Sequence, residues 1–250
     1  MHPLSPEMLL DYWSLDMLQT NVLIFLHVLG ALFLGCVVGY ERAYRGRAAG
    51  MRTYGLVCMA SAALTVLSGL STTWYGGHGV TTPMGVDPTR VIQGVVTGIG
   101  FLGAGVIMKT GLNISGLTTA ASIWASSAIG VLVGVGFYSA AVLMTLLAAA
   151  SMMGLARLET RLPQRPAIGL QVLFEPQFVP KEGEIRAFLM AHGFDMAMGS
   201  VAVSCKESAI EWRFVAVAHC RRCGTPMIDL AQNLREHPGV HSFHISHARN

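Results

Sequence analysis

Charge is scarce in this chain. Only 12% of its 250 residues are Asp, Glu, Lys or Arg, while 52% are apolar. Soluble domains carry about 25% charged residues, so a membrane protein is the first expectation. Cysteine is scarce as well, and its five copies follow no disulfide framework. A net charge of only +3, with no stripe of alternating basic and aromatic residues, excludes nucleic acid as a partner class. No nucleophilic triad, phosphate-cradling loop or HExxH helix is present. The glycine-rich GIGFLGAG (98–105) lacks a following GK[ST] and sits inside an apolar run. The first 21 residues lack the basic start and small-residue cleavage site of a signal peptide, so the first apolar run is expected to be an uncleaved anchor.

What charge there is lies unevenly. Residues 1–156 hold five acids and six bases, whereas 157–250 hold nine and eleven in far fewer positions. The chain therefore reads as an extracytoplasmic N-terminal tail (1–21), a membrane domain (22–156), a linker (157–166) and a soluble domain (167–250). A helix crosses a bilayer core of about 30 Å with roughly 20 residues. Five runs meet that length or approach it: 22–40, 54–73, 91–108, 118–137 and 139–156.

Loop charge orients them. No Lys or Arg precedes residue 41, and then Arg42, Arg45, Arg47 and Arg52 crowd one loop. The positive-inside bias places that loop and the C-terminal domain in the cytoplasm and the N-terminus outside.

Packing signals within the spans are small residues at four-residue spacing: Gly35/Gly39, Gly94/Gly98 and Gly130/Gly134. The third run, VIQGVVTGIGFLGAGVIM, has five glycines. Each costs about 1 kcal/mol of helix propensity against Ala, so this span is expected to be enclosed by other helices. Asp87 and Pro88 mark its start as cap and first helical residue. No acid or base falls within the five runs. That counts against a conventional ion transporter, since ionisable residues are the usual sign of a membrane pathway. His27 reads as a packed, hydrogen-bonded histidine.

The soluble part shows a βαββαβ rhythm. Strands are expected at 168–176, 196–206, 209–219 and 240–248, with helices at 180–194 and 225–239. This is the pattern of a ferredoxin-like α+β domain with two helices on one face. Cys220 and Cys223 form a CxxC beside His219, ahead of a histidine-rich end (His237, His241, His244, His247). A single CxxC leaves three readings open: zinc binding by Cys220 and Cys223, thiol–disulfide exchange, or a structural turn. No other cofactor is expected.

Three stretches together resemble the MgtC/SapB family of bacterial inner-membrane proteins: GALFLGCVVGYERAYRGRAAGMRTYGLV (30–57), GIGFLGAGVIM (98–108) and GLTTAASIWASSAIGVLVG (116–134). The tail is similar to the ACT-like domain of longer MgtC-type members, although its CxxC and histidine-rich end depart from that pattern. The resemblance implies five transmembrane helices and a cytoplasmic ACT-like domain. It also implies a non-enzymatic regulator, acting under magnesium limitation and in intracellular survival of pathogens. Such a regulator would bind other membrane proteins, notably the F-type ATP synthase, in the bilayer, with a homo-oligomer as a further expected assembly.

Carried over by position, the motif residues are Glu41, Arg42, Arg52 and Thr53 on the basic loop. In the third span they are Gly98, Phe101, Leu102, Gly103 and Gly105. Beyond it they are Gly116, Leu117, Thr118, Thr119, Ala120 and Trp124. Glu41 and Arg52 flank one loop and are expected to pair, leaving Arg45 and Arg47 as topology markers. Two other classes remain as alternatives: a Mg²⁺ or other cation transporter or channel, and a ligand- or metal-sensing membrane protein acting through its C-terminal domain.

Overall fold

The computed structural model describes residues 10–47, 49–77, 87–110, 113–155, 157–158, 165–206, 209–220 and 223–247. The chain divides into two compact units. One comprises Met1–Met108 with Gly116–Arg157, the other Lys109–Ser115 with Leu158–Asn250.

The first unit is helical: α1 (Leu15–Tyr44), α2 (Met51–Gly69), α3 (Pro88–Val106), α4 (Leu117–Val135) and α5 (Tyr138–Ala150), the last continued by a π-helical turn, Ser151–Leu155. All five are long and apolar enough to cross a membrane. Their starts follow from local chemistry. Ser14 Oγ accepts from the Met17 amide at the start of α1. Asp87 Oδ1 accepts from the amide and hydroxyl of Thr89 at the start of α3, with Pro88 as first helical residue. Those bonds from Thr89 hold the Asp87 carboxyl below the usual aspartate range. Gly116 precedes α4 in the left-handed region (φ +90°), and a Cβ there would overlap the Val106 carbonyl. Only glycine fits that corner.

Close backbone approach builds the helical core. A Cβ on Gly35 would lie 2.6 Å from the Tyr54 carbonyl, and one on Gly39 2.7 Å from Met51 Cα, so α1 and α2 cross backbone to backbone. Gly130 and Gly134 do the same for α4, against Cys58, Ala62 and Thr65 of α2. A seam of hydroxyls runs along the α2–α4 contact. Tyr54 Oη meets Ser122 Oγ, Ser61 and Ser127 share a hydrogen at 2.8 Å, and Ser126 donates to the Tyr54 carbonyl at 2.9 Å. Buried polar groups are thus paired with each other, as an environment without water requires. His27 is buried in the same manner. Its Nδ1 donates to the Leu23 carbonyl and its Nε2 accepts from Tyr138 Oη, both at 2.8 Å.

The third glycine pair behaves differently, and α3 is not enclosed. Only Val95, Ile99 and Gly103 of this helix are buried. Among the described residues nothing lies within 4 Å of a Cβ built on Gly94, Gly98, Gly100 or Gly105. The expectation of an enclosed span fails because these glycines point away from the other four helices.

Two short strands, β1 (Met108–Thr110) and β2 (Asn113–Ser115), pair between α3 and α4. The second unit's main sheet comprises β3 (Ala167–Phe174), β4 (Phe194–Met196), β5 (Ala202–Lys206), β6 (Ala209–Ala218) and β7 (Val240–His247), with α6 (Glu182–Ala191) and α7 (Met227–Arg235). Its order is β4-β6-β3-β7, antiparallel throughout, with β5 also on β6. This is the expected α+β, ferredoxin-like order. The single strand expected at 196–206 is divided into β4 and β5, which pair with opposite ends of β6. Alternation along the strands sends Leu170, Val172, Phe174, Trp212 and Phe214 into one core with Ile185, Leu189, Leu230 and Leu234 of the helices.

The opposite sheet face carries Gln171, Ser204, Glu211 and Arg213, with Glu211 only 6% exposed. Burial pushes the Glu211 carboxyl up. Hydrogen bonds from Ser204, Arg213 and Gln171, with the Arg213 charge, outweigh that and hold it below the ordinary glutamate range.

Candidate functional site

The motif residues fall into three groups. The first is charged and closes the end of α1. That helix continues to Tyr44, which carries Glu41 and Arg42 into its last turn, where both are buried. Glu41 Oε1 lies 2.7 Å from Arg45 Nε, and Oε2 lies 3.5 Å from Arg42 Nε. The Arg42 Nε also donates to Met152 Sδ at 3.2 Å, tying α1 to the turn after α5. Glu41 Oε2 accepts no hydrogen bond among the described residues. Arg52 and Thr53, by contrast, lie exposed on the first turn of α2.

The expected Glu41–Arg52 pair therefore does not form. Arg45, expected to be a topology marker, is the closest cation to Glu41. Helix geometry explains the exchange: Arg45 is four residues on along the same helix face, whereas α2 turns Arg52 outward. The spacing Glu41–Arg45 was the available sequence signal.

The second group is structural. Gly116 makes the turn into α4, Thr119 is buried, and a Cβ built on Gly103 would meet Ala120 Cβ at 3.7 Å, ordinary contact where α3 crosses α4. The Ser122 hydroxyl donates to the carbonyls of Thr118 and Thr119.

The third group faces outward. Phe101 is 81% exposed, and Leu102, Leu117, Thr118 and Trp124 are exposed as well. Gly98 and Gly105 present bare backbone on the same helix as Phe101. On the other side of α3, towards α4 and α5, lies an apolar cleft of about 360 Å³, lined by Ile92, Val96, Trp124, Leu132 and Met144, among others. Seven motif positions thus stand exposed, unused by packing among the described residues.

In the soluble unit, Cys220 and Cys223 are joined to each other in a disulfide. In this form neither sulfur offers a thiolate to a metal. Among the described residues no three or more His, Cys, Asp or Glu side chains gather into a metal-binding group.

Comparison with known proteins agrees with these stretches. Protein MgtC of Brucella abortus (strain 2308) is 46% identical over 116 residues, covering 46% of this chain and 44% of that protein. Protein MgtC of Salmonella typhimurium (strain LT2) is 40% identical over 141 residues, covering 56% of each. The chain thus spans about half the length of the curated relatives it matches. No solved structure matches. The sequence description of the MgtC family fits residues 28–161, more than half of the chain, from before the charged end of α1 to beyond α5. With five apolar helices over the same region, this is a membrane protein, and the chain belongs to the MgtC family.

Proposed function

We propose that this protein is a non-enzymatic regulator of the MgtC type that acts by docking a transmembrane helix of another membrane protein against α3. The observation that carries the reading is the outward placement of Gly98, Phe101, Leu102, Gly105 and Trp124. Lipid tails are as apolar as leucine, so a helix that merely faces lipid gains nothing from glycine and loses about 1 kcal/mol of helix propensity at each. Bare backbone is of use to a second helix, which can approach closely along it. The F-type ATP synthase, a membrane complex of the kind the family resemblance implies, is the first candidate, under magnesium limitation.

Orientation belongs to the same proposal. Arg42, Arg45, Arg47 and Arg52 set the end of α1 and the soluble domain in the cytoplasm of a bacterial inner membrane, with the N-terminus outside. The Glu41–Arg42–Arg45 cluster then fixes the cytoplasmic end of the bundle on which α3 is presented.

Photo-crosslinking residues placed at Gly98 and Phe101, with Leu143 on α5 as an exposed control, test the docking surface in cells. The expected result is a discrete protein adduct at 98 and 101 and only lipid or diffuse products at 143. Equal, unspecific products at all three positions would refute it.

A further inference from the structure

The CxxC has no part in the docking surface, yet the fold gives it a defined place. Cys220 and Cys223 sit exposed on the strap joining β6 to α7. That strap closes the end of α6. The His219 amide donates to the Gly193 carbonyl at 3.0 Å. The amide and hydroxyl of Thr225 both donate to the His192 carbonyl, also at 3.0 Å. Gly193, with φ +82°, accommodates the Cys223 carbonyl where a Cβ would otherwise sit. A Cβ on Gly224 would overlap the tip of the Phe194 ring at 2.6 Å, and Phe194 is 4% exposed in the domain core. The two cysteines are therefore set between two anchor points of the C-terminal cap of α6.

A staple is the poorest use of this bond. It closes a loop of sequence separation three, and so removes little freedom from the unfolded chain. Its exposure leaves both sulfurs open to attack from solvent.

We infer that Cys220 and Cys223 form a reversible thiol–disulfide site whose co-substrate is a small thiol of the glutathione class, and that its redox state sets the tightness of the α6 cap and of packing at Phe194. In the reductive direction a thiolate of the small thiol attacks one sulfur of the pair. The Cys220–Cys223 bond breaks, the other cysteine leaves as thiolate and takes a proton, and a mixed disulfide forms. A second small thiol attacks that mixed disulfide. The pair has then gained two electrons and two protons, and two small thiols have become one disulfide. Oxidation by the small-molecule disulfide runs the same steps in reverse. The inference does not depend on the docking reading, because it concerns only the strap and the α6 end.

The test uses the full chain in detergent or nanodiscs, equilibrated across a series of reduced-to-oxidised glutathione ratios. Alkylation and mass spectrometry count free thiols. Hydrogen exchange is read over 191–195 and 225–235. The expected result is a gain of two thiols in one step, with exchange in those segments several-fold faster in the reduced form. Cys205→Ser keeps the step, while Cys220→Ser with Cys223→Ser abolishes it and exchanges like the reduced wild type. A pair that never oxidises in excess oxidised glutathione overturns the inference. So does unchanged exchange between the two wild-type forms, a comparison that needs no variant to fold.

Discussion

Removal of Glu41 exposes the energetics of the charged cluster. Its carboxylate is 94% buried, Arg42 nearly as much, and Arg45 is about one-third exposed. Glu41→Ala strands the buried Arg42 guanidinium, leaving the Met152 sulfur as its side-chain partner among the described residues. Removing one partner of a buried pair costs roughly 3–5 kcal/mol, so this variant is expected near that range. Arg45→Ala leaves Glu41 beside Arg42, and solvent screening of the exposed guanidinium limits the loss to about 1 kcal/mol. Arg47, exposed on the loop, is expected within about 0.5 kcal/mol of wild type.

Glu41→Ala with Arg42→Met removes both charges and fills part of the space. It is expected to be less damaging than Glu41→Ala alone, because no buried charge is left unpaired. Unfolding in mixed micelles with increasing dodecyl sulfate, followed by far-ultraviolet circular dichroism, ranks the set. If Glu41→Ala and Arg47→Ala unfold together, or the double variant is the worst, the cluster is not a buried ion pair in the membrane and the reasoning fails.

Three further outcomes follow from other parts of the molecule. Gly116→Ala forces a side chain into a left-handed corner, which costs about 1–2 kcal/mol before the Val106 overlap is counted; the same micelle assay should show it clearly destabilised. Tyr138→Phe removes the partner of His27 Nε2 and is expected to cost about 0.6–1.7 kcal/mol, with His27→Phe added on top costing no more than His27→Phe alone. Glu211 has a lowered folded pKa, so its contribution is full above the unfolded value of about 4.3 and is lost as pH falls through the folded one. Glu211→Gln should therefore be less stable than wild type at pH 7 but lose less on acidification towards pH 3, as thermal melts of the soluble domain's tryptophan signal would show; parallel loss in both proteins contradicts the assignment.

The sequence made the architecture legible because its signals were one-dimensional. Apolar run length located five helices, and α4 begins within one residue of the expected position. The βαββαβ rhythm located the sheet, with Gly193 closing α6 as a left-handed cap residue. What it did not reveal was pairing in three dimensions. The Glu41–Arg52 expectation weighed loop proximity over the four-residue period that places Arg45 on the Glu41 face. The strand expected at 196–206 is divided because the ladder with β6 lapses after Ala197, whose amide still donates to the Val215 carbonyl, and resumes at Ala202.

The glycines mark the deeper limit. Gly94/Gly98 and Gly130/Gly134 have the same spacing in equally apolar runs, yet the second pair meets α2 and the first meets nothing among the described residues. In a soluble protein polarity would separate an inward from an outward face. In a bilayer both faces are apolar, so the period of hydrophobicity carries no such sign. A glycine-rich face therefore reads alike whether its partner is the next helix of the same chain or a helix of another protein. Packing tells them apart: Gly130 and Gly134 are filled by α2, while Gly94 and Gly98 stand open on a helix with three buried residues. The cost of those open glycines in helix propensity is unreturned within this chain, and a second protein against α3 is the contact that would return it.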